Sequence, residues 1–480
     1  MSEFVACRFG ARYILCKEAI GLTLQEYVDS IKDKSIAVLG VGVSNTPLIE
    51  LLLRNGCDVT ACDRRSFQDL GETGGKLEAL GCKFRLGEDY LENLTEDLIF
   101  RTPGLMPFEA HLEAAKARGS VLTSEMELFF ALCPCRVIAV TGSDGKTTTT
   151  TIISELLKAA GYTVHLGGNI GHPLLCEVPE IRPEDFAVLE LSSFQLHSMV
   201  CRPDVAVITN ISPNHLDKHK DYQDYIDAKA AIFARQRPED KLVLQLDDGH
   251  APYYAARAPG RVSYFCNGKA GEEGCFREGD AIFRLHGGMR EEIMRRSEIK
   301  LPGEHNVLNY LAAFEAVAGL VSPAICREVA MDFGGVEHRL ELVRVKDGVK
   351  FINDSIGSSP SRTVAGLKAM PVKPIVLCGG YDKHIPFEPL GDALCQMAKK
   401  VFLTGDTAEK IKDAIVNSPY FRGSDLTFEL HEDFTENVLA AAAVAEEGDI
   451  VLFSPACASF DHFKNFAERG ERFKEIVNDL

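Results

Sequence analysis

No apolar stretch of the 480-residue sequence reaches the length that a membrane-crossing helix requires. The opening run MSEFVACRFGARYILCKEAIG is broken by Arg8, Arg12, Lys17 and Glu18, so it lacks the apolar core of a secretory leader. Basic residues are outnumbered: 52 Lys and Arg against 70 Asp and Glu leave a net charge of −18. That balance excludes a surface built for nucleic acid, although a local cluster of donors still suffices for an anionic substrate. The 15 cysteines include no C-x-x-C pair and no zinc spacing, with Cys133 and Cys135 one residue apart. Scattered thiols fit the reducing cytoplasm rather than a disulfide framework. Long repeats and low-complexity tracts are also missing. What remains is an ordinary globular composition, 46% apolar and 25% charged, with a length that predicts about three domains. Residues 1–31 carry no functional signal and read equally as an extra helix or a tail.

The chain is organised around RVIAVTGSDGKTTTTTIISELL, residues 136–157. Arg136–Val140 is a β-branched run that predicts a buried parallel strand, followed by a turn on Gly142 and Gly145 and an amphipathic helix. Strand, glycine turn, Lys146-Thr147 and helix make a phosphate cradle. Backbone N–H groups and the positive helix end face the anion, Lys146 neutralises it, and the Thr147 hydroxyl can hold Mg²⁺. Only Ser143 and Asp144 separate the glycines, where the general phosphate loop has four residues.

Around this stretch the chain alternates strands and helices. Ser35–Leu39 opens a βαβ unit with Gly40-Val41-Gly42-Val43-Ser44 as its turn, a helix from about Thr46 to Arg54, and a strand Cys57–Ala61 ending at Asp63-Arg64-Arg65. An acidic residue about 20 positions past the glycines is Rossmann-like, and such residues contact a ribose or base. The third fingerprint glycine is absent, which disfavours a nicotinamide dinucleotide. Leu98–Arg101 predicts a further strand ending in Thr102-Pro103-Gly104, at the sheet edge where ligands gather. The run 131–135 marks a first boundary and Gly334-Gly335 a second. Between them Thr163–Leu166, Phe186–Leu189 and Val205–Ile208 read as strands, 241–300 as a β-rich edge, and Leu301–Leu320 as a helix. Beyond them Lys350–Asn353, Ile375–Cys378, Lys400–Thr404 and Ile450–Ser454 alternate with helices. The expected architecture is α/β, with three domains: a Rossmann-like 1–134, a P-loop-type ATPase domain 135–334 and a Rossmann-like 335–480.

Several side chains then fall on strand ends. Glu190 follows the strand 186–189 and is either a hard oxygen ligand for Mg²⁺ or a helix-capping carboxylate. His215 and Asp217 reach the same rim after the next strand. Lys229, in YIDAKAAIF, is either a snorkelling lysine or, as a carbamate formed with CO₂, an oxygen ligand for Mg²⁺. Asn306 and Asn309 share one face of a helix start and hold a nucleotide base, unless Asn306 serves as a cap. Arg339 offers a charge for a triphosphate or lies on the surface. Asn353-Asp354-Ser355, Gly379-Gly380-Tyr381-Asp382-Lys383 and Ser454–Ser459 each end a strand, forming a second rim for a small polar or anionic molecule.

In order and spacing GSDGKTTT, GGNIG (167–171), ELSSFQL, NHLD, the AK of YIDAK, EHNVLN and EHR resemble the Mur ligases, ATP-dependent amide-forming enzymes of peptidoglycan precursor synthesis. The resemblance covers nearly the whole chain from about Lys34. GxGxS with DRR in the first domain, NDS, GGxDK and SPACASFDxFKNFxxRG look like the D-glutamate-adding branch. Folylpolyglutamate-type synthases share the later domains but not the Rossmann-like region or SPACAS, and a non-catalytic nucleotide-binding scaffold is the remaining alternative.

The resemblance implies an enzyme that joins UDP-N-acetylmuramoyl-L-alanine to D-glutamate through an acyl phosphate, using ATP and two Mg²⁺ sites. It also implies a cytoplasmic monomer with no nucleic-acid or membrane partner. It places Gly142, Ser143, Asp144, Gly145, Lys146, Thr147, Thr148, Asn306, Asn309, Arg339 and Asp354 around ATP. Thr147, Glu190, His215 and carbamylated Lys229 become metal ligands, with Lys146, Lys229 and His215 catalytic. Gly42, Ser44, Asp63, Arg64, Thr102, Gly104 and Asn169 face the UDP substrate, and Ser358, Lys383, Ser459 and Phe466 surround D-glutamate. Ile356 stands where many members carry a nucleotide-contacting lysine, and Ser358-Ser359 where a Thr-Asn pair is common, leaving Arg339 or Lys383 to supply the charge.

Overall fold

A computed structural model describes residues 22–480, apart from 171–172, 214, 216–217, 269–272, 302, 383–384 and 424–425. It forms two compact units, one ending at Phe333 and the other spanning Gly334–Leu480.

The first unit contains two sheets. One has five parallel strands in the order 83–86, 58–63, 35–39, 98–100, 121–123. Its central strand Ser35–Leu39 is buried from Ile36 onward, as expected of a parallel strand covered on both faces. The helix after the glycine turn is Asn45–Arg54, one residue earlier than its pattern suggests. Before the sheet, Leu24–Ser30 is a helix started by a Thr23–Glu26 capping box, and it buries Leu24, Tyr27 and Val28 in the same core.

The second sheet has nine strands in the order 289–295, 281–286, 274–278, 261–266, 241–245, 205–208, 136–141, 186–190, 164–168. Neighbours are parallel from 164–168 through to 274–278, and an antiparallel pair of strands completes the edge. Strand 136–141 thus sits between 186–190 and 205–208, so three neighbouring strand ends face one rim. Helix Lys146–Ala159 packs on helix Glu304–Ala316 through a core that includes Ile152, Ile153, Leu156, Tyr310 and Phe314. The latter helix is shorter than the expected 301–320. Gly303, at φ 102°, precedes it, and the chain turns at Gly319, at φ 82°, before a further helix Pro323–Asp332.

The second unit carries a six-stranded sheet in the order 341–346, 349–353, 450–453, 375–379, 400–404, 427–430. Strand Ile450–Phe453, late in the chain, lies between Val349–Asn353 and Ile375–Gly379 and is parallel to both. The loops leaving these three strands therefore meet at one edge, where the sheet changes direction of growth, the position at which α/β sheets bind ligands.

Candidate functional site

The phosphate loop has no room for side chains at its glycines. A Cβ on Gly142 (φ 144°) would lie 1.9 Å from Thr209 Oγ1, and one on Gly145 (φ 77°) 2.2 Å from Asn309 Oδ1. The loop between them is pinned to the next strand end: Ser143 N donates to Asn210 O, Asp144 N to Asn210 Oδ1, and Thr209 Oγ1 to Asp144 O. Gly145 leads into the helix at Lys146, whose Nζ donates to Ser143 O at 2.9 Å and so lies over the loop. Thr148 is half-buried in the first turn. The start of a 14-residue helix and a lysine thus lie together at the loop, a positive end suited to an anion.

Glu190, 1% exposed, closes the adjacent strand. Its Oε2 accepts from Thr147 Oγ1 at 2.7 Å and its Oε1 from Asn169 Nδ2 at 2.7 Å. The buried Thr147 hydroxyl and Glu190 carboxylate, with the exposed Asn169 amide at their edge, offer the oxygen ligands that suit a hard divalent cation.

Lys229, also 1% exposed, does not snorkel. Its Nζ donates to Gly142 O at 2.7 Å and lies 4.6 Å from the Tyr225 ring centre. Burial, reinforced by the nearby Lys146 cation, holds its ammonium well below the usual lysine range, against the pull of Glu190 and Asp144. The side chain is thus held against the loop backbone, in surroundings that disfavour its charged form.

His215 adopts a left-handed backbone (φ 55°) on an exposed loop, its ring edge-on to Phe194 at 4.9 Å. Asp217 lies outside the described residues. The histidine that ties this loop down is His219, which sequence reasoning passed over. Its Nδ1 donates to the acceptor-only Asp224 carboxylate at 2.9 Å, leaving Nε2 to accept from Ser193 Oγ at 2.9 Å. Asp224 also accepts from His197, and Phe194 stacks on His219 at 5.5 Å. The signal was the second histidine of NHLDKH, four residues after the first.

Beside the phosphate loop lies a cavity of about 340 Å³ lined by Asp144, Gly145, Asn210, Phe265, His305 and Asn309 among others. Asn309 Nδ2 donates to Asn306 Oδ1 at 3.1 Å, while Thr149 Oγ1 donates to Asn309 Oδ1, so the two asparagines form one buried polar wall. The helix cap is Gly303, not Asn306, which removes the capping reading.

In the first sheet, Asp63 is buried and satisfied internally. Its Oδ2 accepts from Val41 N at 2.7 Å and its Oδ1 from Arg65 N and Nε. Arg64 instead pairs with Glu88 in solvent. Arg65, two residues on in the bend that leaves the strand, fixes the glycine turn by donating to Val41 O. Gly42, Ser44 and Gly104 are exposed, and Thr102 packs against Gly40. A second omission is Arg101, 2% exposed, which donates to Phe194 O at 2.9 Å and Ser198 Oγ at 2.8 Å. It welds the Thr102–Gly104 loop to the segment that follows Glu190, and with Ser44 and Gln195 it lines a cavity of about 20 Å³.

In the second unit, Asp354 is 5% exposed and accepts from Ser454 Oγ at 2.7 Å; burial pushes its carboxyl up to about 6. Arg339 sits between two left-handed residues, His338 (φ 60°) and Leu340 (φ 45°). Ile356 is half-buried and donates its N–H to His338 O. Ser459 is buried, Ser358 half-buried and Phe466 exposed at the start of the last helix. Lys383 falls outside the described residues.

Comparison with known proteins gives the following similarities. Residues 140–317 match the Mur ligase middle domain and residues 338–457 the Mur ligase glutamate ligase domain. The UDP-N-acetylmuramoylalanine–D-glutamate ligase of Acetivibrio thermocellus is 48% identical over 460 residues, covering 95% of this chain and 99% of that protein. The enzyme of the same name from Clostridium perfringens is 48% identical over 457 residues, covering 95% and 99%. In fold, the chain is similar to the crystal structure of UDP-N-acetylmuramate–alanine ligase from Thermotoga maritima, with TM-score 0.54, 19% identity, and 93% and 99% of the two chains covered.

Proposed function

Because the chain belongs to the Mur ligase family, we propose that it is the ATP-dependent ligase that joins D-glutamate to UDP-N-acetylmuramoyl-L-alanine in peptidoglycan precursor synthesis. The observation that carries this reading is the phosphate loop with the buried side chains of Glu190 and Lys229 gathered against it.

A carboxylate is a poor acyl donor in water, so the reaction needs a leaving group. The substrate's terminal carboxylate attacks the γ-phosphoryl group of ATP, giving an acyl phosphate and ADP. The D-glutamate amine then attacks the acyl carbon, and phosphate departs. Bringing two anions together demands fixed positive charge and in-line geometry, which the loop N–H groups, the helix start and Lys146 supply. Thr147, Glu190 and His215, with Lys229 as a carbamate, would hold Mg²⁺ at two sites, which neutralises phosphate charge there. Carbamylation consumes the neutral amine and CO₂ and releases one proton, and burial of Lys229 favours the neutral form it starts from. Asn306 and Asn309 form the wall suited to the base, and Arg339 and Asp354 are proposed as further ATP contacts.

We assign 1–134 to the UDP substrate, 135–334 to ATP and 335–480 to the amino acid, in a cytoplasmic monomer. No helix among the described residues is long and apolar enough to cross a membrane.

The test is phosphate release from ATP with UDP-N-acetylmuramoyl-L-alanine and a panel of D- and L-amino acids. Release that depends on D-glutamate, and is abolished in a folded Lys146→Ala variant, is the expected result. Release indifferent to the amino acid supplied would overturn the proposal.

A further inference from the structure

The rim of the second unit is built from three loops, and one side chain holds two of them while touching the third. Arg469, in the first turn of helix Phe466–Asp479, is 2% exposed. Its guanidinium donates to Ala458 O at 2.8 Å, to Cys457 O and Ser355 O at 3.0 Å, and through Nε to Ser355 Oγ at 3.2 Å. Ser355 Oγ in turn donates to Phe466 O at 2.7 Å, closing a ring between the Asn353–Ser355 loop and the helix start. The third loop abuts the same group, because a Cβ on Gly380 would lie 3.0 Å from an Arg469 terminal nitrogen and 2.3 Å from Ala458 O. Tyr381 N donates to Ala458 O, so the Gly380 loop rides on the one that Arg469 fixes.

Its partners carry no formal charge. All four acceptors are carbonyl or hydroxyl oxygens, and none of the hydrogen bonds goes to a carboxylate. Asp461 is the acid whose charge bears on it most. Carbonyl dipoles satisfy the N–H groups without cancelling the charge, so a cation remains beneath the rim. A planar fork is required: an ammonium cannot reach three loop carbonyls in these directions.

We propose that Arg469 is the positioning and specificity-determining residue of the amino-acid pocket, which sets the Ser355, Cys457–Ser459 and Gly380 loops in register and favours an incoming amino acid with a second carboxylate. This rests on the D-glutamate reading above. It adds to that reading a residue which lies beneath the rim and acts through the loops.

The experiment uses the full chain as wild type, Arg469→Met and Arg469→Lys, with D-glutamate and D-glutamine as acceptors, and separate KM values for ATP and the amino acid. Arg469→Met should raise the D-glutamate KM by about tenfold or more, as expected for losing charge-assisted bonds, and shrink the D-glutamate over D-glutamine preference, with the ATP KM within about twofold. Arg469→Lys should keep the preference while still raising the D-glutamate KM, since the charge stays and the fork is lost. An unchanged D-glutamate KM in either folded variant overturns the proposal. So does a parallel rise in every KM, which marks general loosening. If Arg469→Met fails to fold, Arg469→Lys decides alone by the same criteria. A wild-type chain that ignores D-glutamate instead overturns the functional reading, which separates the two failures.

Discussion

A lysine amine closed off from water, with a second cation nearby, surrenders its proton far more readily than one on a surface. Lys229 meets both conditions, whereas its sequence setting, between alanines and an isoleucine, is equally that of a snorkelling side chain. Its contact with Gly142 O joins residues 87 apart in the chain, which no local pattern encodes. If the carbamate oxygens are what the site needs, Lys229→Ala should lose activity on the order of a hundredfold or more and regain part of it with millimolar acetate or formate. Wild-type turnover without rescue would make Lys229 a packing residue. Asp354 gives a prediction of stability rather than rate. Its carboxyl is raised from 3.8 to about 6 by burial, so the folded state favours the protonated form. That contribution is fully present below pH 3.8 and is lost as the pH rises through about 6. Asp354→Asn should therefore raise the Tm of the second unit more at pH 8 than at pH 4.5, as read by calorimetry, even if ATP use is lost.

At the scale of elements, strand 241–245 and helix Glu304–Ala316 are joined by a buried charge. Lys241 Nζ donates to Glu315 O at 2.6 Å and approaches Oε1 at 3.4 Å, while His286 lies 3.2 Å from Oε2. Glu315 has no exposed surface. Glu315→Ala would leave Lys241 charged in a site made for a pair, at a cost of about 3 kcal/mol. The expected result is a lower urea midpoint for the first unit. Strands and helices of this kind were legible because Ser35–Leu39, Arg136–Thr141 and Ile375–Gly379 are short β-branched or apolar runs ahead of glycine turns. Side-chain networks were not. Arg101, His219 and Arg469 bond to groups 93, 26 and 114 residues away, so their roles arise only when distant loops meet. The arginine of DRR that grips Asp63 is Arg65 rather than Arg64, a choice made by the bend after the strand, which the motif alone leaves open.

For the molecule as a whole, a net charge of −18 predicts mutual repulsion between copies. Sedimentation at 0.15 M salt should give the mass of one chain, independent of concentration. A concentration-dependent shift toward twice that mass would contradict the monomer assignment.

The strand order of the second unit also bears on the timetable of synthesis. Ile450–Phe453 is the middle of its sheet yet the last of its strands to be made. A nascent chain halted at residue 440 would hold two unjoined ribbons, 341–353 on one side and 375–430 on the other, each with a bare edge. The unit up to Phe333 has every strand in hand once residue 295 has cleared the ribosome. Folding during translation is thus staggered, and premature stop codons near the end should yield a sound first unit carrying an aggregation-prone remainder.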